Sequence, residues 1–155
     1  MSRQPELMIV PVDGSEGASE AARYAVGLAE GLGVPVRLVY AFPKDPVDMF
    51  GIPTEAPGPE ALEYFAPEAF ERLRDQSAEK AFAATRKAVG ETAIEIQEQT
   101  LSGSPAEAIV EHAALEEDPM IVIGRRGLNG FKEFLLGSVS QRVLHHAVCP
   151  VTVVR

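Results

Sequence analysis

The chain holds a single cysteine, Cys149, and no tryptophan among its 155 residues. One thiol excludes an intramolecular disulfide and any metal site built from several cysteines. No apolar run approaches the roughly 18 residues that suggest a membrane span, and Met1–Glu6 lacks the basic region and apolar stretch of a secretory signal. The expectation is a cytoplasmic protein with no membrane insertion. Positive charge is scarce as well: 14 Lys and Arg stand against 23 Asp and Glu, for a net charge of -9. Such a surface has no broad field to attract a polyanion, which argues against nucleic acid as a partner.

What is present suits one globular domain spanning residues 1–155, with 46% hydrophobic and 24% charged residues. A domain of this length buries roughly 68–70% of the surface of its unfolded chain, enough for a core without staples. Short apolar runs alternate with longer helical patterns. Leu7–Val12, Val34–Ala41, Ala93–Leu101, Met120–Gly124 and Val151–Val154 read as five strands. Helical spacing of small and apolar residues predicts helices over Gly17–Leu32 and Pro67–Val89, the second with Phe70, Leu73, Ala81, Ala84 and Ala88 along one side. Ser104 followed by Pro105 and Glu107 reads as a capped helix start running to about Leu115, and Ser138–His146 as a fourth helix. Strand and helix alternation implies right-handed crossovers, hence an α/β fold: an open parallel five-stranded sheet with helices on both faces. Pro11 cannot donate to a central ladder, so it is placed at the carboxyl end of the first strand.

The stretch from Phe42 to Ala66 is too long for a routine connection in such a fold. Its prolines at 43, 46, 53, 57 and 59 argue against a regular helix or a central strand. Phe42, Met49, Phe50, Tyr64 and Phe65 argue equally against a solvated linker, so this Pro-rich insertion is expected to pack on its own domain or on a neighbour.

The stretch Gly124–Ser140 carries the chemistry. It leaves a buried strand, passes Gly124, Gly127, Gly130 and Gly137, and enters a helix at Ser138, Val139 and Ser140. In an open parallel sheet, ligands bind beyond the carboxyl ends of the strands where strand order reverses. Glycines let backbone N–H groups converge on an anion, and a helix amino terminus adds free N–H groups and a positive dipole end. With the Ser138 and Ser140 hydroxyls as further donors, this is a site for a phosphorylated ligand.

Gly124, two residues, Gly127, nine residues and Gly137-Ser138 is a specific spacing, and it resembles the nucleotide-binding pattern of the universal stress protein family in its ATP-binding branch. The opening Ile9-Val-Pro-Val-Asp13-Gly-Ser15 and the closing Cys149-Pro-Val-Thr-Val-Val154 agree, so the resemblance covers nearly the whole chain. It implies a Rossmann-like fold of the adenine nucleotide alpha hydrolase-like kind, and ATP with Mg²⁺ as cofactors. Pro11, Val12 and Asp13 would then border the nucleotide, Asp13 near ribose or the phosphate-bound Mg²⁺, with backbone at Ala41 facing adenine. Gly127 and Gly130 would lie along ribose and phosphate, with Gly137, Ser138, Val139 and Ser140 on the phosphates. The resemblance also implies a homodimer joined through the last strand. Two departures stand out: Arg125 occupies a position where the family usually has a small residue, and the Phe42–Ala66 segment is long.

Plainer readings accompany these residues. Ser138 with Gln141 makes an ordinary capping box, and Asp13-Gly14 an ordinary strand-to-helix turn. Arg125 and Arg126 read as solvated loop charges. His145 and His146 are adjacent on a helix and do not share one metal ion; His112 is expected to be solvated, and Cys149 to be a buried, inert thiol. There is no GxxxxGK[ST] loop, no GxGxxG opening the first helix and no GxSxG turn. The leading reading is a regulatory adenine-nucleotide-binding protein with a regulated protein partner. A slow ATPase with Asp13 orienting water, and a nucleotide-free dimeric module, are the alternatives; phosphate release beside a Gly137→Val control separates the first two.

Overall fold

A computed structural model describes residues 3–50, 59–125 and 136–155. In chain order the elements are β1 (Leu7–Pro11), α1 (Glu16–Leu32), β2 (Val36–Phe42), α2 (Pro46–Phe50), α3 (Pro59–Glu63), α4 (Pro67–Val89), β3 (Ile96–Ser102), α5 (Pro105–Ala114), β4 (Pro119–Gly124), α6 (Ser138–His146) and β5 (Val151–Val154). The strands form one five-stranded sheet in the order β3-β2-β1-β4-β5, and every neighbouring pair is parallel. The expected α/β architecture is therefore the one observed.

Central β1 explains the doubly covered sheet. Its side chains alternate, so Met8 and Val10, with Val12 beyond the strand end, enter the layer built with α1 and α4. Leu7 and Ile9 enter the layer that holds Ile109 of α5 and Val143 of α6. Met8, Ile9 and Val10 are fully buried, each worth about 1.5–3 kcal/mol of transfer free energy. Pro11 closes the strand opposite Val39 of β2, and the ladder hands over to Val12, whose N–H donates to the Val39 carbonyl at 2.9 Å.

Helix α1 is alanine-rich because it lies close on the sheet: Ala18, Ala21, Ala22, Ala25 and Ala29 are buried. Ser15 caps it by accepting from the Ala18 N–H at 3.2 Å, and Gly33 ends it in the left-handed conformation at φ 69°. Helix α4 is rotated from the face its spacing suggests. Ala69, Phe70, Ala78, Ala81, Phe82 and Thr85 are buried, whereas Ala84 is exposed. The larger Phe82 ring takes the core position, edge-on to Tyr40 at 6.4 Å. Ser104 is the N-cap of α5 as expected, but with no side-chain hydrogen bond; Pro105 occupies the first turn.

The insertion departs from expectation in being partly helical. Pro46 and Pro59 each begin a short helix, α2 and α3, at a position where the missing N–H costs nothing. Phe50 stacks on Tyr64 at 5.9 Å and meets Phe65 at 6.2 Å, which joins the end of α2 to the turn after α3. At its roots, buried Phe42 packs on Phe70 at 5.3 Å, joining the end of β2 to the first turn of α4.

Among the described residues no helix is long and apolar enough to cross a membrane.

Candidate functional site

Strand order places the first β-unit on one side of β1 and the return strand β4 on the other, so the reversal lies between the carboxyl ends of β1 and β4. Asp13 follows β1 by two residues, and Arg125 follows β4 directly. Ala41 lies in the last part of β2, paired with Leu101 of β3, on the same edge of the sheet. Pro11, Val12, Asp13, Ala41, Gly124, Gly137, Ser138, Val139 and Ser140 are thus gathered at the strand ends by topology. Gly127 and Gly130 lie outside the described residues.

Asp13 shapes the first wall. Its Oδ1 accepts from the Ser15 N–H at 2.9 Å, which folds the chain back over Gly14 at φ 84° and delivers Ser15 as the α1 cap. The turn also leans on α4, since a Cβ on Gly14 would lie 4.0 Å from the Ala81 Cα. Tyr40 stands nearby on β2. Burial pushes its phenol above the ordinary tyrosine value; a hydrogen bond with Ser77 of α4 acts in the opposite sense, and the Asp13 charge adds to the rise. Sequence pattern alone marked neither Tyr40 nor Ser77, although the period-two alternation of β2 puts Tyr40 on the α4 face.

Gly124 and Ser140 fix the second wall. Gly124 has no room for a side chain, because an added Cβ would stand 2.6 Å from the Gly17 carbonyl oxygen and 2.8 Å from its carbonyl carbon. Close approach of α1 to β4 therefore requires glycine here, independently of any ligand. Ser140 is buried, and its hydroxyl donates to the Gly124 carbonyl at 2.8 Å, with the Arg125 carbonyl at 3.3 Å. Its proton is committed to the strand exit, so Ser140 positions the amino end of α6. The Gly137 N–H donates to the Arg125 carbonyl at 2.8 Å, and the Arg125 N–H to the Val154 carbonyl at 2.9 Å. These bonds pin α6, β4 and β5 together at one point.

The capping-box reading of Ser138 does not hold. Gly137 is the N-cap, no side chain caps the helix, and Ser138 is the exposed first helical residue. Helix geometry leaves the N–H groups of Ser138, Val139 and Ser140 without intrahelical acceptors, facing the switch point. An anion there gains both these donors and the dipole. For a cation, the described residues contain no group of three or more His, Cys, Asp or Glu able to hold a metal. Mg²⁺ needs only one or two carboxylates, since it keeps several waters and takes other ligands from phosphates; Asp13, whose Oδ1 accepts from the Ser15 N–H, is the carboxylate at the end of β1 that would hold it.

Away from this edge, His112 is buried at 9% exposure rather than solvated. Arg37 of β2 donates to its Nε2 at 3.1 Å, to Glu116 Oε1 at 2.5 Å and, through Nε, to Gln97 Oε1 at 2.8 Å. Cys149 is half-buried, and burial pushes its thiol up in spite of the backbone N–H of Ile121 and its own. A cleft of about 650 Å³ lined by Arg86, Thr92, Ile94 and Ile96 sits at the opposite, amino end of β3.

Comparison with known proteins agrees with this fold. A family model described as the universal stress protein family matches residues 6–155. A universal stress protein of Thermus aquaticus is 36% identical over 151 residues, covering 97% of this chain and 98% of that protein. One from Methanocaldococcus jannaschii is 32% identical over 148 residues, covering 96% and 81%. Among solved structures, the universal stress protein UspA from Lactobacillus plantarum superposes with a TM-score of 0.74 at 24% identity, covering 99% of this chain and 100% of that one. The universal stress protein from Archaeoglobus fulgidus in complex with dAMP gives 0.60 at 24% identity with full coverage of both chains. A universal stress protein in complex with cAMP gives 0.57 at 23% identity, covering 97% of each.

Proposed function

This chain belongs to the universal stress protein family, and we propose that it acts there as a regulatory protein that binds ATP with Mg²⁺ at the β1–β4 switch point. The observation that carries the reading is the convergence of the Asp13 turn and the uncapped amino end of α6 on one crevice. The Ser138, Val139 and Ser140 N–H groups receive phosphate, the Ser138 hydroxyl adds a donor, and Asp13 sits on the ribose or the phosphate-bound Mg²⁺. Backbone at Ala41 reads adenine at the β2 end. Gly127 and Gly130, by the family resemblance, would lie along ribose and phosphate. The dAMP and cAMP complexes of similar folds support an adenine nucleotide as the ligand class. We place the second copy of the chain on the open edge of β5, whose four residues are all half-buried.

Calorimetric titration tests the reading. ATP with Mg²⁺ binds and GTP binds more weakly, while Gly137→Val abolishes most of the affinity because a branched side chain fills the phosphate space. No heat of binding with millimolar ATP removes the proposal.

A further inference from the structure

The Arg37 cluster lies on the α5 face of the sheet, remote from the crevice, and the nucleotide reading leaves it without a role. Alternation along β2 sends Val36 and Leu38 into the α1 layer and Arg37 and Val39 toward α5. A guanidinium in this position has to be satisfied under a helix. Gln97, its register partner on β3, takes Nε, the last turn of α5 supplies His112, and the turn after α5 supplies Glu116. The Arg37 side chain keeps 16% exposure and that of Glu116 31%, so the pair is sheltered.

Chemistry decides the protonation state of His112. Arginine is a permanent cation with donors only, so a ring nitrogen 3.1 Å from it has to be the acceptor. The imidazole is therefore neutral, with its proton on Nδ1. Adding a proton at Nε2 removes the acceptor and sets two cations face to face in a buried place. The charges acting on the ring are Arg37 from β2 and Glu116 from the turn after α5, and the β3 residue beside the guanidinium is neutral Gln97. The carboxyl end of α5 and Glu116 both favour an imidazolium. Burial and Arg37 outweigh them and hold the ring below the ordinary histidine value.

We propose that Arg37, His112 and Glu116 form an acid-released clasp that docks the last turn of α5 on β2 and β3 and opens when His112 is protonated. The sign follows from linkage: the folded ring titrates below the unfolded value of about 6.5, so the clasp is complete above that value and is lost as pH falls through the folded one. Its release acts on one layer. Ile109 and Ala113 share that layer with Val139 and Val143 of α6, so a loosened α5 withdraws packing from the helix whose amino end faces the crevice.

Hydrogen exchange of the ligand-free protein across residues 105–116, corrected for intrinsic rates, tests the clasp without reference to any nucleotide. Protection in the native chain drops several-fold between pH 7 and pH 5, while α1 and α4 hold theirs. In His112→Gln the amide oxygen still accepts from Arg37 but does not titrate, so the pH dependence disappears. If the native chain and His112→Gln change in parallel, or neither changes, the clasp is overturned. Should His112→Gln fail to fold, Glu116→Gln gives the same decision: loss of the anion moves the imidazole resonance midpoint to lower pH, and an unmoved midpoint overturns the proposal.

Discussion

Gly124 meets the backbone of Gly17 so closely that a Cβ there would stand 2.6 Å from the Gly17 carbonyl oxygen. Both atoms belong to rigid elements, the exit of β4 and the first turn of α1, so neither yields as a side-chain tip would. A glycine that sequence reading assigns to a ligand is needed first for helix-to-sheet contact. Gly124→Ala is expected to cost about 1–3 kcal/mol, the range for overpacking, read as a lower denaturant midpoint with an unchanged m-value. An unaltered midpoint would mean that α1 moves freely away from β4.

The two serines of α6 separate by role. Ser140→Ala strips a donor from the buried Gly124 carbonyl, with an expected loss of about 1–3 kcal/mol in folding stability. Ser138 is exposed, so Ser138→Ala leaves stability within about 0.5 kcal/mol. If ATP sits at α6, the same variant weakens ATP binding by about 0.5–1.5 kcal/mol for a neutral hydrogen bond, or about 1.5–3 for one to a charged group. Equal stability losses in the two variants would refute the division.

Tyr40 reports on Asp13. Burial raises the phenol, and the Asp13 charge raises it further. Asp13→Asn should therefore lower the Tyr40 midpoint in an ultraviolet titration of tyrosinate, with Tyr40→Phe assigning the signal against Tyr24 and Tyr64. Since the folded value lies above the unfolded one, of about 10, the folded state holds this proton more tightly. That contribution to stability is complete below pH 10 and is lost as pH rises through the folded value. A midpoint that ignores Asp13→Asn places the carboxylate out of range of the phenol.

The open edge of β5 has a definite donor pattern. The Ile121 N–H takes the Pro150 carbonyl and the Arg125 N–H takes the Val154 carbonyl. In a parallel ladder that spacing turns the Thr152 and Val154 N–H groups toward β4 and those of Val151 and Val153 outward. Val153→Pro removes an outward donor and spares the β4 ladder. Sedimentation at micromolar concentration is expected to give a dimer for the native chain and a shift toward monomer for Val153→Pro. A native monomer would dispose of pairing through this strand.

The fold class and the order of the five strands and four longer helices were legible in the sequence because each depends on local pattern. Apolar runs too long to be one-sided mark doubly covered strands, alanines at helical spacing mark α1, and glycines before Ser138 mark a helix start beside a strand exit. Pro11 could be placed at a strand end for the single reason that it lacks a donor. What chain pattern left open was decided by packing across elements. Gly137 rather than Ser138 became the N-cap because its N–H reaches the Arg125 carbonyl, a partner supplied by the end of another strand. The Ser140 hydroxyl went to the Gly124 carbonyl for the same reason. His112 looked solvated since nothing near it in sequence calls for burial; Arg37, 75 residues earlier, comes to it only when α5 lies down on β2. Local order is written in spacing, but the partner of each polar atom depends on which distant strand folding brings alongside.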